Sequence, residues 1–408
     1  MIQPPRNLVD VTIGEAFDRE PALRIADGRA VGMDDPENAR ESERAREWVS
    51  TMSGHTATGE VRTAHLAPVR ADGVDVCDRD QREQMEDDSL SAPATRSRGA
   101  GRRLRQEEPD DWRTCFERDR DRILHSSAFR RLAGKTQVFV FPADHQRTRL
   151  THALEVAQVA TAIARALRLN LALTEAIALG HDCGHGPGGH ASEDALTPFV
   201  PGGFDHALWG ADVTAHRLNL CEETLDGIRN HSWSRPAPST PEGEVASLAD
   251  RIAYTAHDLE DAVRAGIVDD ADLPDSLTEL CGRHRSRQLR AFITDVVRTS
   301  ASSGLVGLSA PYADALAELR RFDYERIYLR QASIEQSRRV IEMLRALVEH
   351  FESHPSEMPA EQRRESERDP LRSAVGYVAG MTDRFACVQA VARLGWTSDR
   401  LPRGFDAG

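Results

Sequence analysis

Apolar positions are sparse along the first hundred residues and become periodic only from Trp112 onward. Between Thr151 and Leu169 they recur every three or four positions, which predicts a helix with one buried face. Leu173 to Leu179 predicts a second helix, broken by the glycine-rich run His181-Asp182-Cys183-Gly184-His185-Gly186-Pro187-Gly188-Gly189-His190. Thr240-Pro241 supplies a cap and a first-turn proline for a long helix through Val263. Tyr312 to Arg321, Ile334 to Phe351 and Leu371 to Leu394 read as further helices, and few segments alternate as strands do. The expected fold class is all-α, a multi-helix domain over residues 106–408.

Residues 1–105 read as a polar extension. The first 100 carry 13 basic and 20 acidic residues, and Ser89 to Arg105 is rich in Ser, Arg, Gly and Ala. Such a segment buries too little apolar surface to offset chain entropy, so low order with at most short helices is expected.

Composition narrows the function classes. No apolar run approaches the ~18–20 residues that a membrane-spanning helix needs. The start, Met1-Ile2-Gln3-Pro4-Pro5, lacks the charged and apolar regions of a secretory signal. Six scattered cysteines without a CxxC pair argue against a zinc ribbon or a disulfide scaffold and fit a reducing cytoplasm, the expected location. A net charge of −14 disfavours nonspecific coating of nucleic acid.

Two counts direct attention to the chemistry. Of 52 basic residues, 51 are arginine and one, Lys135, is lysine. Nine of the fifteen histidines fall between His145 and His257. The His181-Asp182 pair ends an apolar helix, where the glycine after Cys183 lets adjacent side chains converge. His152 on the preceding helix and Asp250 on the following one complete a His, His, Asp, Asp set. Nitrogen and oxygen donors without thiolate suit one divalent ion such as Mg, Mn or Fe rather than a closed structural zinc.

Several segments, in order, carry a resemblance: Arg118 to Val138, Thr148 to His152, His181 to His190, Asn230-His231-Ser232, Ala249 to Asp258 and Val378 to Ala386. Over about residues 112–395 the chain resembles the HD-domain deoxynucleoside triphosphate triphosphohydrolases, the family of bacterial dGTPases and of the animal SAM-and-HD-domain dNTPase. The resemblance implies an HD-domain fold, with His152, His181, Asp182 and Asp250 as the ligands of a single metal. It implies hydrolysis of a dNTP to a deoxynucleoside and tripolyphosphate, in a homo-oligomer that nucleotide or single-stranded DNA can activate, without membrane involvement.

Other residues take roles beside that set. His190 and Glu193 are three apart, so a helix starting near His190 puts them on one face, where the carboxylate orients the imidazole for proton handling. His185 is placed to meet an α-phosphate, and His206 resembles a family active-site histidine. Asp250, Tyr254 and Asp258 line one helix face. By the resemblance, Tyr254 and Asp258 hold the deoxyribose and Arg251 meets phosphate. Arg131, Lys135, Gln137 and Arg149 form a cluster suited to a triphosphate. Asp383 and Arg384 match a family element without an assigned role. Where the family commonly carries a bulky aromatic, this loop has Gly188, which is expected to loosen it. Two other readings stand beside the main one: an HD phosphohydrolase of nucleoside monophosphates or cyclic nucleotides, and a catalytically silent nucleotide or ssDNA sensor.

Overall fold

The computed structural model describes residues 36–403 apart from 60, 143 and 144; the expectation for the first 35 residues lies outside that range. The chain divides into two units at Val76/Cys77. The described part of the first holds α1 (Pro36–Thr51) and an antiparallel hairpin, β1 (His55–Thr58) and β2 (Val61–Thr63).

The regular elements described in the second unit are helices. It contains α2 (Arg79–Ser89), α3 (Cys115–Leu124), α4 (Ser127–Arg131), α5 (Arg149–Leu167), α6 (Leu171–Gly180), α7 (Ala191–Leu196), α8 (His206–Trp209), α9 (Glu222–Asn230) and α10 (Pro241–Arg264). It continues with α11 (Asp275–Cys281), α12 (Arg285–Ser303), α13 (Ala310–Asp323), α14 (Gln331–Ser353), α15 (Ala360–Ser366), α16 (Pro370–Ala379) and α17 (Asp383–Leu394). Among the described residues, no helix is long and apolar enough to cross a membrane.

The unit starts at Cys77, well before the boundary expected near residue 105. Polar anchoring, with Ala94 buried in the core, explains the correction. An Asp78–Gln81 capping box starts α2. Glu86 accepts from the Ser97 amide at 2.7 Å and from Asn170 Nδ2 at 3.2 Å. Buried Glu242 accepts from the Thr95 and Asn170 amides, both at 2.9 Å. Arg103 reaches fully buried Asp119 at 2.5 Å. These contacts satisfy groups whose burial would otherwise be costly, and no hydrophobic period announces them.

Two apolar cores frame the site. The first gathers Phe116, Leu132, Val156, Val159, Ile163, Leu173, Ile177 and Ile252 around α5, α6 and α10. From Leu173 to Gly180, α6 is buried on all faces except at Glu175, as expected for a helix at the centre of a bundle. It crosses α9 closely: a Cβ on Gly180 would lie 2.6 Å from Ile228 Cδ1, and one on Gly227 would lie 2.4 Å from Ile177 Cδ1. The second core joins Leu196, Phe204, Val340, Leu344, Leu347, Phe351, Val375 and Val378. The 181–190 run passes from one core to the other, with Leu179 packed in the first and Ala191 in the second.

One helix expected over Leu371 to Leu394 is two. It breaks at Gly380-Met381-Thr382, where the Thr382 hydroxyl caps α17 by accepting from the Phe385 amide. A capping threonine within an otherwise apolar period is the local reason.

Candidate metal and phosphate site

Three helices bring the expected ligands together. In the first turns of α5, His152 lies one turn from Arg149, and both are buried. His181 caps the C-terminus of α6 and Asp182 opens the following turn, while Asp250 comes from the middle of α10. His152 Nε2 lies 3.0 Å from Asp250 Oδ1. His181 Nε2 is 3.5 Å from Asp182 Oδ1 and 3.6 Å from Asp250 Oδ1.

The His181 ring is oriented through Nδ1, which donates to the Ala178 carbonyl at 2.7 Å. Its Nε2 therefore faces two carboxylates and, among the described residues, has no hydrogen-bond partner although buried. A buried ring nitrogen turned towards two anions calls for a cation between them. In the bare protein a proton serves: burial opposes charge on His181, but Asp182 and Asp250 outweigh it and push the imidazole up to about 9. The residues could therefore hold a divalent ion, which would replace that proton.

A second histidine group adjoins the cradle. His185 is buried, with Nε2 3.2 Å from Asp182 Oδ1 and its ring stacked on His206 at 3.7 Å. Burial, with Arg149 and His206 nearby, holds it well below the usual imidazole range. Glu193 Oε1 meets the His206 amide at 3.0 Å and His206 Nδ1 at 2.8 Å, and Glu193 Oε2 lies 3.3 Å from His190 Nδ1. Burial disfavours the Glu193 carboxylate, but the hydrogen bonds to His190 and His206 prevail and keep it ionised. The His190 side chain is 77% exposed, so it is open to a ligand.

Residues 149–255 match the HD domain family model, and residues 306–391 match the phosphohydrolase-associated domain. A deoxyguanosinetriphosphate triphosphohydrolase-like protein of Caldanaerobacter subterraneus subsp. tengcongensis is 44% identical over 322 residues, 76% of this chain and 94% of that protein. A protein of the same description from Clostridium perfringens (strain SM101) is 43% identical over 69% of this chain and 87% of its own length. Another, from Roseobacter denitrificans, is 36% identical over 73% of this chain and 95% of its own. The chain belongs to the deoxyguanosinetriphosphate triphosphohydrolase-like family of HD-domain phosphohydrolases.

In this HD phosphohydrolase, the residues expected at the phosphates divide into two groups. Arg149 Nη1 donates to Asp182 Oδ2 at 2.8 Å, while its Nε and Nη2 are buried and unpartnered among the described residues. Arg131 Nε and Gln137 Oε1 are likewise buried without a partner there. Lys135 is placed differently. It is 3% exposed, and its ammonium donates to the His185 carbonyl and, at 3.0 Å, to that of Ala379. Burial pushes it down to about 7, aided by Arg131.

Along α10, the Arg251 guanidinium covers the Trp233 ring at 4.2 Å and lies 5.5 Å from the Tyr254 ring. The Tyr254 hydroxyl accepts from Arg320 Nε at 2.8 Å. Asp258 Oδ2 accepts from the Tyr328 hydroxyl at 2.5 Å, and Asp258 Oδ1 is unpartnered among the described residues. Burial raises the Asp258 carboxyl to about 7.

Sequence reading missed Arg320, Tyr328 and Trp233, which no spacing linked to α10. It also gave no role to His231, whose Nδ1 donates to the Ile228 carbonyl and whose ring stands 5.0 Å from His181. The Asn230-His231-Ser232 segment was the available signal. Gly188 is packed and hydrogen-bonded in the loop. It takes φ +75°, a Cβ there would lie 2.4 Å from Val340 Cγ1, and its amide donates to Asp383 Oδ1 at 2.8 Å.

Proposed function

We propose that the protein hydrolyses a deoxynucleoside triphosphate to the deoxynucleoside and tripolyphosphate. The observation that carries this reading is Arg149: a buried guanidinium bound to Asp182 of the ligand set, with two further donors unpartnered among the described residues. Buried donors without acceptors are costly, and a phosphate chain supplies oxygens of the right charge and geometry. The family description of the curated relatives favours the same substrate class.

His152, His181, Asp182 and Asp250 would hold a divalent ion, whose chemistry is to polarise a phosphoryl oxygen. The remaining work falls to the chain itself. Arg149, with Arg131, binds and neutralises phosphate oxygens. His185, kept uncharged, offers its Nδ1, unpartnered among the described residues, as an acceptor for the attacking water. Water adds to the α-phosphorus as the bond to the 5′-oxygen breaks, and His190 handles the proton at the reacting oxygens. Glu193 orients His190 and His206. Tyr254, Asp258 and Tyr328 form a polar wall suited to a sugar, with Asp258 Oδ1 open to its 3′-hydroxyl. Arg251 is held by Trp233 at the edge of the site.

The test is incubation of the purified protein with each of the four dNTPs, with Mg and then Mn, followed by ion-exchange analysis. Tripolyphosphate and a deoxynucleoside are expected, and both are lost in Asp182→Ala. Inorganic phosphate released from monophosphates, or nucleotide binding without turnover, would replace this reading with one of its two competitors.

A further inference from the structure

The one lysine of the chain and the unassigned Asp383 meet at the same loop. Lys135 joins two backbone carbonyls from distant parts of the chain: His185 within the 181–190 loop, and Ala379 at the end of α16. Next to it, the Thr136 hydroxyl donates to Asp383 Oδ2 at 2.5 Å, and the other Asp383 oxygen takes the Gly188 amide. Lys135 and Asp383 are both buried. The same short segment also runs beside the start of α5. Thr136 bridges to Thr148, and the Arg149 amide donates to the Lys135 carbonyl at 3.2 Å. Val340 of α14 closes on Gly188 from the other side.

We infer that Lys135, Thr136 and Asp383 are positioning residues that fix the His185–His190 loop against the metal-ligand helices, using α14, α16 and α17 as the outer wall. The phosphohydrolase-associated region, 306–391, then takes part in setting the reacting geometry through Val340, Ala379 and Asp383. The part of the inference that concerns turnover rests on the proposed function; the part that concerns the loop does not.

The chemistry explains why a chain that uses arginine elsewhere keeps lysine here. A compact ammonium can point separate protons at two carbonyls converging from different elements. A planar guanidinium is larger, and its donors form a rigid fork suited to carboxylate or phosphate. Asp383 must accept on both oxygens, from a hydroxyl and from an amide, so asparagine would lose one of the two contacts.

The experiment compares the full-length protein with Lys135→Met, Lys135→Arg, Asp383→Asn and Thr136→Val. Hydrogen–deuterium exchange is followed on peptides covering 184–190, with α5 and α10 as internal references and no nucleotide present. Losing one of these hydrogen bonds is expected to speed exchange in the loop by about tenfold or more, with α5 and α10 unchanged. Lys135→Arg behaves like Lys135→Met. In turnover assays kcat falls more than KM changes, because loop placement affects the reacting geometry more than phosphate binding. Thr136→Val removes a single hydroxyl and keeps the test available if the Lys135 variants do not fold.

Unchanged loop exchange, equal acceleration across the whole unit, or wild-type behaviour of Lys135→Arg would each overturn the inference. If the wild-type protein hydrolyses no dNTP, the exchange results still decide whether these residues fix the loop, and only the proposed function fails.

Discussion

Replacing Arg149 by methionine separates two jobs held by one side chain. The guanidinium and the Asp182 carboxylate are 2.8 Å apart, with side chains 3% and 4% exposed, so neither is screened by water. Burial disfavours the Asp182 charge, and Arg149 heads the groups that outweigh it. Removing one partner of such a pair leaves an uncompensated buried charge, at a cost of about 3–5 kcal/mol. For a unit of this size that corresponds to a fall in Tm of roughly 5–10 °C in the presence of a chelator. Saturating Mn should reduce the fall, because a divalent ion neutralises the same carboxylate. The second job is anion binding. Two charged donors unpartnered among the described residues, at about 1.5–3 kcal/mol each, imply a loss of tripolyphosphate affinity of about a hundredfold or more. Calorimetric unfolding with chelator and with Mn, together with titration by tripolyphosphate, measures both. A variant that binds tripolyphosphate as tightly as the wild type would refute the anion role. A Tm deficit that Mn does not reduce would refute the electrostatic account of the pair.

Two further outcomes follow from the same site. Asp258→Asn should stabilise the protein more at pH 8.5 than at pH 5.5. The wild-type carboxyl titrates at about 7 when folded and near 3.8 when unfolded, so the folded state binds the extra proton between those values. Its contribution therefore becomes less favourable as pH rises to about 7 and costs a few kcal/mol at most above it; a variant-minus-wild-type difference in urea unfolding that is independent of pH would contradict this. Glu193→Gln keeps the shape but removes the charge that orients His190 and His206, and should lower kcat about 10- to 100-fold with little change in KM. Unaltered steady-state kcat would remove Glu193 from the relay.

Much of the fold was legible because apolar spacing at three and four reports helices directly. It located α5, α6, α10, α13 and α14 to within a few residues. The break between α16 and α17 was less visible, since Gly380 and Thr382 interrupt an apolar period that otherwise continues. The extent of the compact unit was not legible at all: residues 77–105 are held by Glu86, Thr95, Arg103 and Glu242, and buried hydrogen bonds leave no period in sequence. At the site, His181-Asp182 stood out because a helix ended there among glycines, and the His190/Glu193 spacing pointed to the two side chains that lie 3.3 Å apart at the start of α7. Lys135 stood out by composition, and its spacing from Arg131 pointed to phosphate, whereas the fold gives its ammonium the His185 and Ala379 carbonyls. Its partners are backbone carbonyls, which every residue carries and no sequence distinguishes.

By itself the sequence determined the helical class, the family and the set of donors available to a metal, since these follow from local periodicity and side-chain chemistry. Only tertiary structure decided which charges face one another. It turned His181 Nε2 towards two carboxylates, left Arg149 with donors unpartnered among the described residues, brought Arg320 and Tyr328 from the C-terminal region to α10, and committed Lys135 to two carbonyls. The physical reason is that burial and pairing, not residue type, set whether a charged group is free to meet a ligand or is held by the fold.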